Sequence, residues 1–231
     1  MKGRGRQLVL DLPHRQALGR DDFLVTGSNT AAVALIDHWP DWPAHAALLV
    51  GPPGSGKTHH DEVWRQRSNA ARIQAADVRA ENAPELLAPG ALAIEDAGNP
   101  LDEKAFFHLL NLARQQGSNV LITAQRRAEL WKIALPDLLS RLRAIPVVEI
   151  LPPDDALLRG VLVKLFFDRQ ITAGESAISF MLTRMPRSLG AARLLVAEID
   201  RRALEERAEV TRHFVAKVLS DFSAPELFGD D

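Results

Sequence analysis

The stretch that most restricts what this chain can become runs from Ala46 to Arg67. Five apolar residues, AALLV at 46–50, lead directly into GPPGSGKT at 51–58, and a helix-forming stretch follows. A short, wholly apolar run ending in glycine reads as a strand buried on both faces, as in a parallel sheet. Gly51, Gly54 and Gly56 let the backbone turn so tightly that successive N–H groups aim at one spot. Lys57 brings a point charge to that spot, Thr58 a hydroxyl suited to Mg²⁺, and the helix that starts there the positive end of its dipole. Each of these groups attracts an anion. In its strand-to-helix setting, GxxxxGK[ST] is the pattern of a loop that cradles nucleotide phosphates.

The rest of the chain repeats the alternation. ARIQA at 71–75, ALAIED at 91–96, NVLITA at 119–124 and PVVEI at 146–150 read as further strands. Helices are expected over Ala31–His38, Lys57–Arg67, 84–88, Leu101–Gln116 and Pro136–Arg143, with Thr26 or Ser28 capping the first. Strands alternating with helices predict an α/β fold: a parallel five-stranded sheet flanked by helices. The texture changes at Pro152–Pro153. Everything after it is helical in pattern (Asp154–Arg169, Glu175–Arg184, Arg187–Glu206, Thr211–Leu219), and Thr211 is placed to cap the last helix. The expected organisation is an N-terminal extension at 1–18, a nucleotide-binding domain at 19–152, a small all-α domain at 153–220 and an acidic tail at 221–231.

Composition excludes several classes. The 231 residues contain no cysteine, so disulfides and thiolate metal sites are ruled out. No apolar run approaches the ~20 residues of a membrane span, and no signal peptide is recognisable, so a cytoplasmic protein is expected. The formal net charge of −2 argues against sequence-specific binding of DNA, which draws on a basic surface.

Two acidic features bear on chemistry. Glu95 and Asp96 end an apolar strand, where a phosphate-loop fold holds Mg²⁺ and polarises the attacking water. Asp61 and Glu62 follow the loop on its helix and read as a solvated face, since helix N-termini favour acids. The adjacent His59 and His60 lack the i, i+4 spacing of a metal pair.

Taken together, these motifs resemble the Hda/DnaA-like family of AAA+ ATPases, over nearly the whole chain. FLVTGSNTAA, with Phe23, Gly27, Ser28 and Asn29, is similar to the stretch that lines the family's adenine pocket. GPPGSGKTH resembles its Walker A loop, which implies nucleotide contacts from Gly51, Pro52, Pro53, Gly54, Ser55, Gly56, Lys57, Thr58 and His59. AIED resembles Walker B, with Glu95 and Asp96 as its acids and Glu95 joining Thr58 at Mg²⁺. ITAQ places Gln125 as the first sensor, and LLSRL places Arg141 as the arginine finger. MPRSLGAARLLVAEID resembles the helix carrying the second sensor, Arg187, which a helical domain over the nucleotide would deliver in cis. QLVLDL, from Gln7 to Leu12, matches the peptide by which Hda-like members dock on the β sliding clamp of DNA polymerase III. Gln7, Leu8, Leu10 and Leu12 are its expected contacts.

The resemblance implies a regulator of replication initiation, stabilised by ADP or ATP, that promotes hydrolysis of ATP bound to the initiator DnaA. DnaA itself ends in a helix-turn-helix domain for which this chain is expected to have no room. A homodimer is compatible with the family. The chain departs from the family in having Asp61 and Glu62 where apolar residues are usual, Glu95 for aspartate and Gln125 for a frequent aspartate. These departures speak for nucleotide binding over rapid turnover. The alternative is a DnaA-like ATPase with its own turnover, acting as a helicase loader or an initiator paralogue.

Overall fold

The computed structural model describes residues 24–98 and 100–221. They form two compact units whose boundary in sequence lies between Pro152 and Pro153. In the first, β1 (Ala46–Val50), β2 (Ala71–Gln74), β3 (Ala91–Ala97), β4 (Asn119–Ala124) and β5 (Val147–Glu149) make one sheet in the order β2-β3-β4-β1-β5. Every neighbouring pair is parallel.

The sheet is covered on both faces, which is why β1 and β4 carry no alternation of polar and apolar residues. Leu48, Val50, Leu92, Ile94, Val120 and Ile122 pack with Phe106 and Leu109 of α4 (Glu103–Gln116) and Leu138 and Leu142 of α5 (Pro136–Arg143). Ala47, Leu49, Ala93 and Leu121 pack on the other face with Ile36 of α1 (Thr30–Asp37) and Val63 and Trp64 of α2 (Lys57–Ser68). The short α3 (Ala83–Leu87) contributes Ala83 and Leu87 to the first of these layers.

The second unit holds α6 (Asp155–Asp168), α7 (Glu175–Arg184), α8 (Leu189–Glu206) and α9 (Arg212–Asp221) around their own core, which includes Leu162, Met181, Leu195 and Val215. Local capping chemistry sets its boundaries. Asp154 accepts from the Leu157 N–H at 2.7 Å, Ser188 from Ala191 at 3.2 Å and Thr211 from Phe214 at 3.2 Å. No helix among the described residues is long and apolar enough to cross a membrane.

Helix α1 departs from expectation at its start. Neither Thr26 nor Ser28 caps it: their hydroxyls bond each other at 2.9 Å. Asn29 occupies the N-cap position without a side-chain cap bond. Its amide instead closes the preceding turn, accepting from Thr26 N–H and donating to Leu24 C=O, both at 2.8 Å. The extension carrying Gln7, Leu8, Leu10 and Leu12, the residue Phe23 and the tail beyond Asp221 lie outside the described residues.

Candidate functional site

Three adjacent parallel strands, β1, β4 and β3, lie side by side; the loop follows β1, Gln125 follows β4, and Glu95 and Asp96 lie in the last residues of β3. Gly51 leaves β1 with its N–H donating to Ala124 C=O at 3.1 Å, so Gln125, the residue that follows β4, sits beside the loop. Only glycine fits at 51. An added Cβ would lie 2.6 Å from Ser55 Oγ and 2.9 Å from the Ile150 carbonyl oxygen. The second of these is backbone and cannot step aside. We therefore expect Gly51→Ala to cost about 2–3 kcal/mol of stability by overpacking, read as a fall in the thermal midpoint. An unchanged midpoint would show that the loop yields freely.

Gly56 has φ 103°, in the left-handed region that glycine tolerates, and α2 begins at the next residue. The Lys57 ammonium turns back into the loop, donating to the carbonyls of Gly51 at 2.8 Å and Pro52 at 3.0 Å. Burial lowers its pKa, and the charge of Asp96 partly opposes that shift. Ser55 is buried, and its hydroxyl has no hydrogen-bond partner among the described residues. A tight glycine cradle, a preorganised ammonium and an orphaned hydroxyl at a helix start are what a phosphate group needs. The loop fits a nucleotide.

The acids of β3 part company. The register with β4 shifts between Ile94 and Ala97, and this irregularity sends successive side chains different ways. Asp96, with φ 53°, is exposed, and its N–H donates to Thr123 Oγ1 at 3.3 Å. Glu95 is buried, and its Oε2 accepts from Arg72 Nε at 2.6 Å and Gln74 Nε2 at 3.1 Å. Arg72 Nη2 closes the ion pair with the same oxygen. Among the described residues no group of three or more His, Cys, Asp or Glu could hold a metal. Thr58 is exposed at the loop, but its expected partner Glu95 is already committed, so the side chains as placed do not fit Mg²⁺.

The solvated face expected at Asp61 is overturned. Lys57, His60, Asp61 and Trp64 recur at helical spacing and are all buried, because α2 presses this stripe onto the sheet. Asp61 is 1% exposed, and neither carboxylate oxygen has a hydrogen-bond partner among the described residues. Burial pushes its carboxyl up to about 7, and the nearby charge of Glu95 adds to the shift. His60 is pushed the other way, down to about 4, by its own burial. Glu62 does lie nearer the surface, and it pairs with Arg65 at 2.8 Å. His59 is half-buried beside His60, their rings edge to face at 6.4 Å.

Arg141 lies near the end of α5, partly exposed, with no hydrogen bond or ion pair from its guanidinium among the described residues. Arg187 belongs to the second unit. It donates to Asp155 Oδ1 at 2.7 Å and to the Pro153 carbonyl at 3.2 Å, which anchors the start of α6 to the turn before α8.

Arg72, Gln74 and Thr123 escaped the sequence reading. Arg72 and Gln74 stand two apart on β2, hence on one face, and Gln74 is directly opposite Glu95 in the register. The i, i+2 polar pair was visible in ARIQA, but the register that aims it at Glu95 was not.

No protein-family model matches the sequence, and no curated protein matches it. Solved structures match in fold. Domain III of the replication initiation protein DnaA from Thermotoga maritima superposes with a TM-score of 0.75 at 18% identity, over 93% of this chain and 100% of that one. AMPPCP-bound DnaA from Aquifex aeolicus gives 0.62 at 17%, over 81% of this chain and 68% of that one. The Holliday junction branch migration motor RuvB from Thermotoga maritima gives 0.64 at 17%, over 80% of this chain and 64% of that one. At these identities the likeness is one of fold, and this chain has the AAA+ fold shared by DnaA domain III and RuvB.

Proposed function

We propose that this chain is a nucleotide-binding regulator of replication initiation, which holds ADP or ATP in the loop Gly51–Thr58 to set its own conformation. The observation that carries the nucleotide is the loop itself: a cradle at Gly51 closed to any side chain, with Lys57 turned into it. His59, next along the helix, and Arg187 are proposed as further nucleotide contacts. Asp96 and Gln125, at neighbouring strand ends, are proposed to sense the terminal phosphate.

The regulatory half of the reading rests on sequence. QLVLDL supports docking on the β sliding clamp, with Gln7 hydrogen-bonding at the rim of an apolar cleft that takes Leu8, Leu10 and Leu12. Tethering there raises the effective concentration of the chain near DnaA. Arg141, in LLSRL, is then the arginine supplied in trans to ATP bound by DnaA. Its guanidinium has no partner to surrender among the described residues.

The test is hydrolysis of DnaA-bound ATP with clamp loaded on DNA. Wild type is expected to stimulate it and Arg141→Ala to lose ~10³-fold of the stimulation, as for other arginines acting in trans. Gln7→Ala is expected to lose the clamp-dependent part. No stimulation by wild type would overturn the proposal. The likeness of fold to RuvB favours a second reading, an ATP-driven motor or loader, and rapid ATP turnover by the chain alone would select it.

A further inference from the structure

The end of β3 carries an irregularity that a plain parallel pairing does not need. Ile94 stands opposite Ile122 and Ala97 opposite Ala124, so Glu95 and Asp96 together face the single residue Thr123. This is a bulge, with one residue more on β3 than on β4, and bulges re-aim side chains next to functional sites. Here it changes parity. Ile94 and Ala97 both pack in the layer that holds Phe106 and Leu138. Without the extra residue, alternation along β3 would turn Asp96 into that apolar layer. With it, Asp96 comes out exposed at a left-handed φ of 53°, a strain that persists only where neighbours enforce it.

The bulge is pinned on both sides. Arg72 and Gln74 hold Glu95 from β2. From β4, Thr123 Oγ1 accepts the Asp96 N–H at 3.3 Å. Thr123 is 2% exposed in a stretch that is otherwise apolar over 120–124, and a hydroxyl buried there is unfavourable unless it is bonded. Among the described residues the bond from Asp96 is the one its side chain makes. The next residue, Ala124, accepts the Gly51 N–H at 3.1 Å. Thr123 thus ties the exposed acid of β3 to the strand on which the phosphate loop opens.

We propose that Thr123 is a positioning residue for Asp96, and that the bulge it holds makes Asp96 the group by which the site tells a nucleoside diphosphate from a triphosphate. A carboxylate held at the mouth of the loop repels the charge of a γ-phosphate, and a diphosphate lacks that charge. The preference is then set by the backbone of β3, and Thr123 controls it through one hydrogen bond without touching the nucleotide. This inference rests on the nucleotide reading of the loop and adds the residue that governs its ligand preference.

The test compares affinities for ADP and AMPPCP by calorimetry in EDTA, where no cation masks the phosphates, and takes their ratio as the readout. Wild type is expected to favour ADP about tenfold, the scale of one partly screened charge repulsion. Thr123→Val keeps the shape of the side chain, removes the acceptor and brings the ratio toward one. Thr123→Ser keeps the wild-type ratio, which a role in packing alone would not predict. Asp96→Asn also brings the ratio toward one, and in that background Thr123→Val has no further effect. An unchanged ratio in Thr123→Val would overturn the proposal. So would equal ratios in wild type and Asp96→Asn, or a Thr123→Val effect that persists in Asp96→Asn.

Failure of wild type to bind either nucleotide would sink the nucleotide reading instead, and the positioning is measurable without a ligand. Hydrogen exchange at the Asp96 amide, followed by NMR, is expected to be slow in wild type and Thr123→Ser and about tenfold faster in Thr123→Val. Equal exchange in wild type and Thr123→Val would show that the hydroxyl does not hold the bulge, and would refute the proposal whatever the loop binds.

Discussion

Replacing Lys57 by alanine is expected to lower the affinity for ADP by about two orders of magnitude, the usual loss when one side of a desolvated charge pair is truncated. The reason lies in where the ammonium already is. Two loop carbonyls hold it at 2.8 and 3.0 Å, and it is 8% exposed. The loop has thus met the desolvation cost of the charge before any phosphate arrives. A phosphate that displaces those carbonyls meets an ammonium poorly solvated by water, where an ionic hydrogen bond is strongest. The same desolvation implies that the variant stays folded. Calorimetric titration with ADP, beside a thermal melt, checks both parts. An affinity within about threefold of wild type would mean that Lys57 does not face the phosphates.

Asp61→Ala is expected to stabilise the chain, and by an amount that depends on pH. The Asp61 carboxyl is pushed up to about 7 from an ordinary value of 3.8. Between those values the folded chain retains a proton that the unfolded chain has released. Its contribution is therefore full at low pH and is lost as pH rises toward 7. His60 acts in the opposite sense. Pushed down to about 4 from 6.5, it has lost in the fold a proton that the unfolded chain binds, so its contribution grows with pH across that window. The two slopes largely cancel in wild type between pH 4 and 6.5. Asp61→Ala leaves the His60 slope alone, so stability of the variant climbs through this range by about 2–3 kcal/mol. At pH 8 the variant should exceed wild type by about 2–4 kcal/mol, the relief of an ionised carboxylate buried without a partner. Urea unfolding at pH 5 and pH 8 makes the comparison. A variant less stable than wild type at pH 8 would show that Asp61 is satisfied in the fold.

The part of this molecule legible in sequence is the part governed by local rules. β1 at Ala46–Val50, β4 at Asn119–Ala124, α5 at Pro136–Arg143 and α7 at Glu175–Arg184 begin and end where the pattern places them. Their limits follow from apolar runs, a proline at a first turn and neighbouring glycine, all of which act within a few residues. The loop belongs to the same class, because its chemistry is written in consecutive residues. The cap of α1 was missed because Thr26 and Ser28 satisfied each other, a choice among local bonds that composition does not rank.

What sequence left open is how distant polar groups share a partner. Asp61 follows Lys57 by one helical turn, and only the docking of α2 on the sheet turns that position inward. Glu95 and Asp96 are adjacent in sequence, yet the shifted register between β3 and β4 buries one and exposes the other. Arg72 meets Glu95 because β2 pairs with β3 in one register, and a slip of one residue would have faced it away. By itself, then, the sequence determined a parallel sheet, a phosphate loop and a helical unit, since periodicity and turn chemistry are properties of short segments. Tertiary structure alone decided which carboxylate an arginine holds and which stands unpaired, because burial and register arise only when separate segments pack.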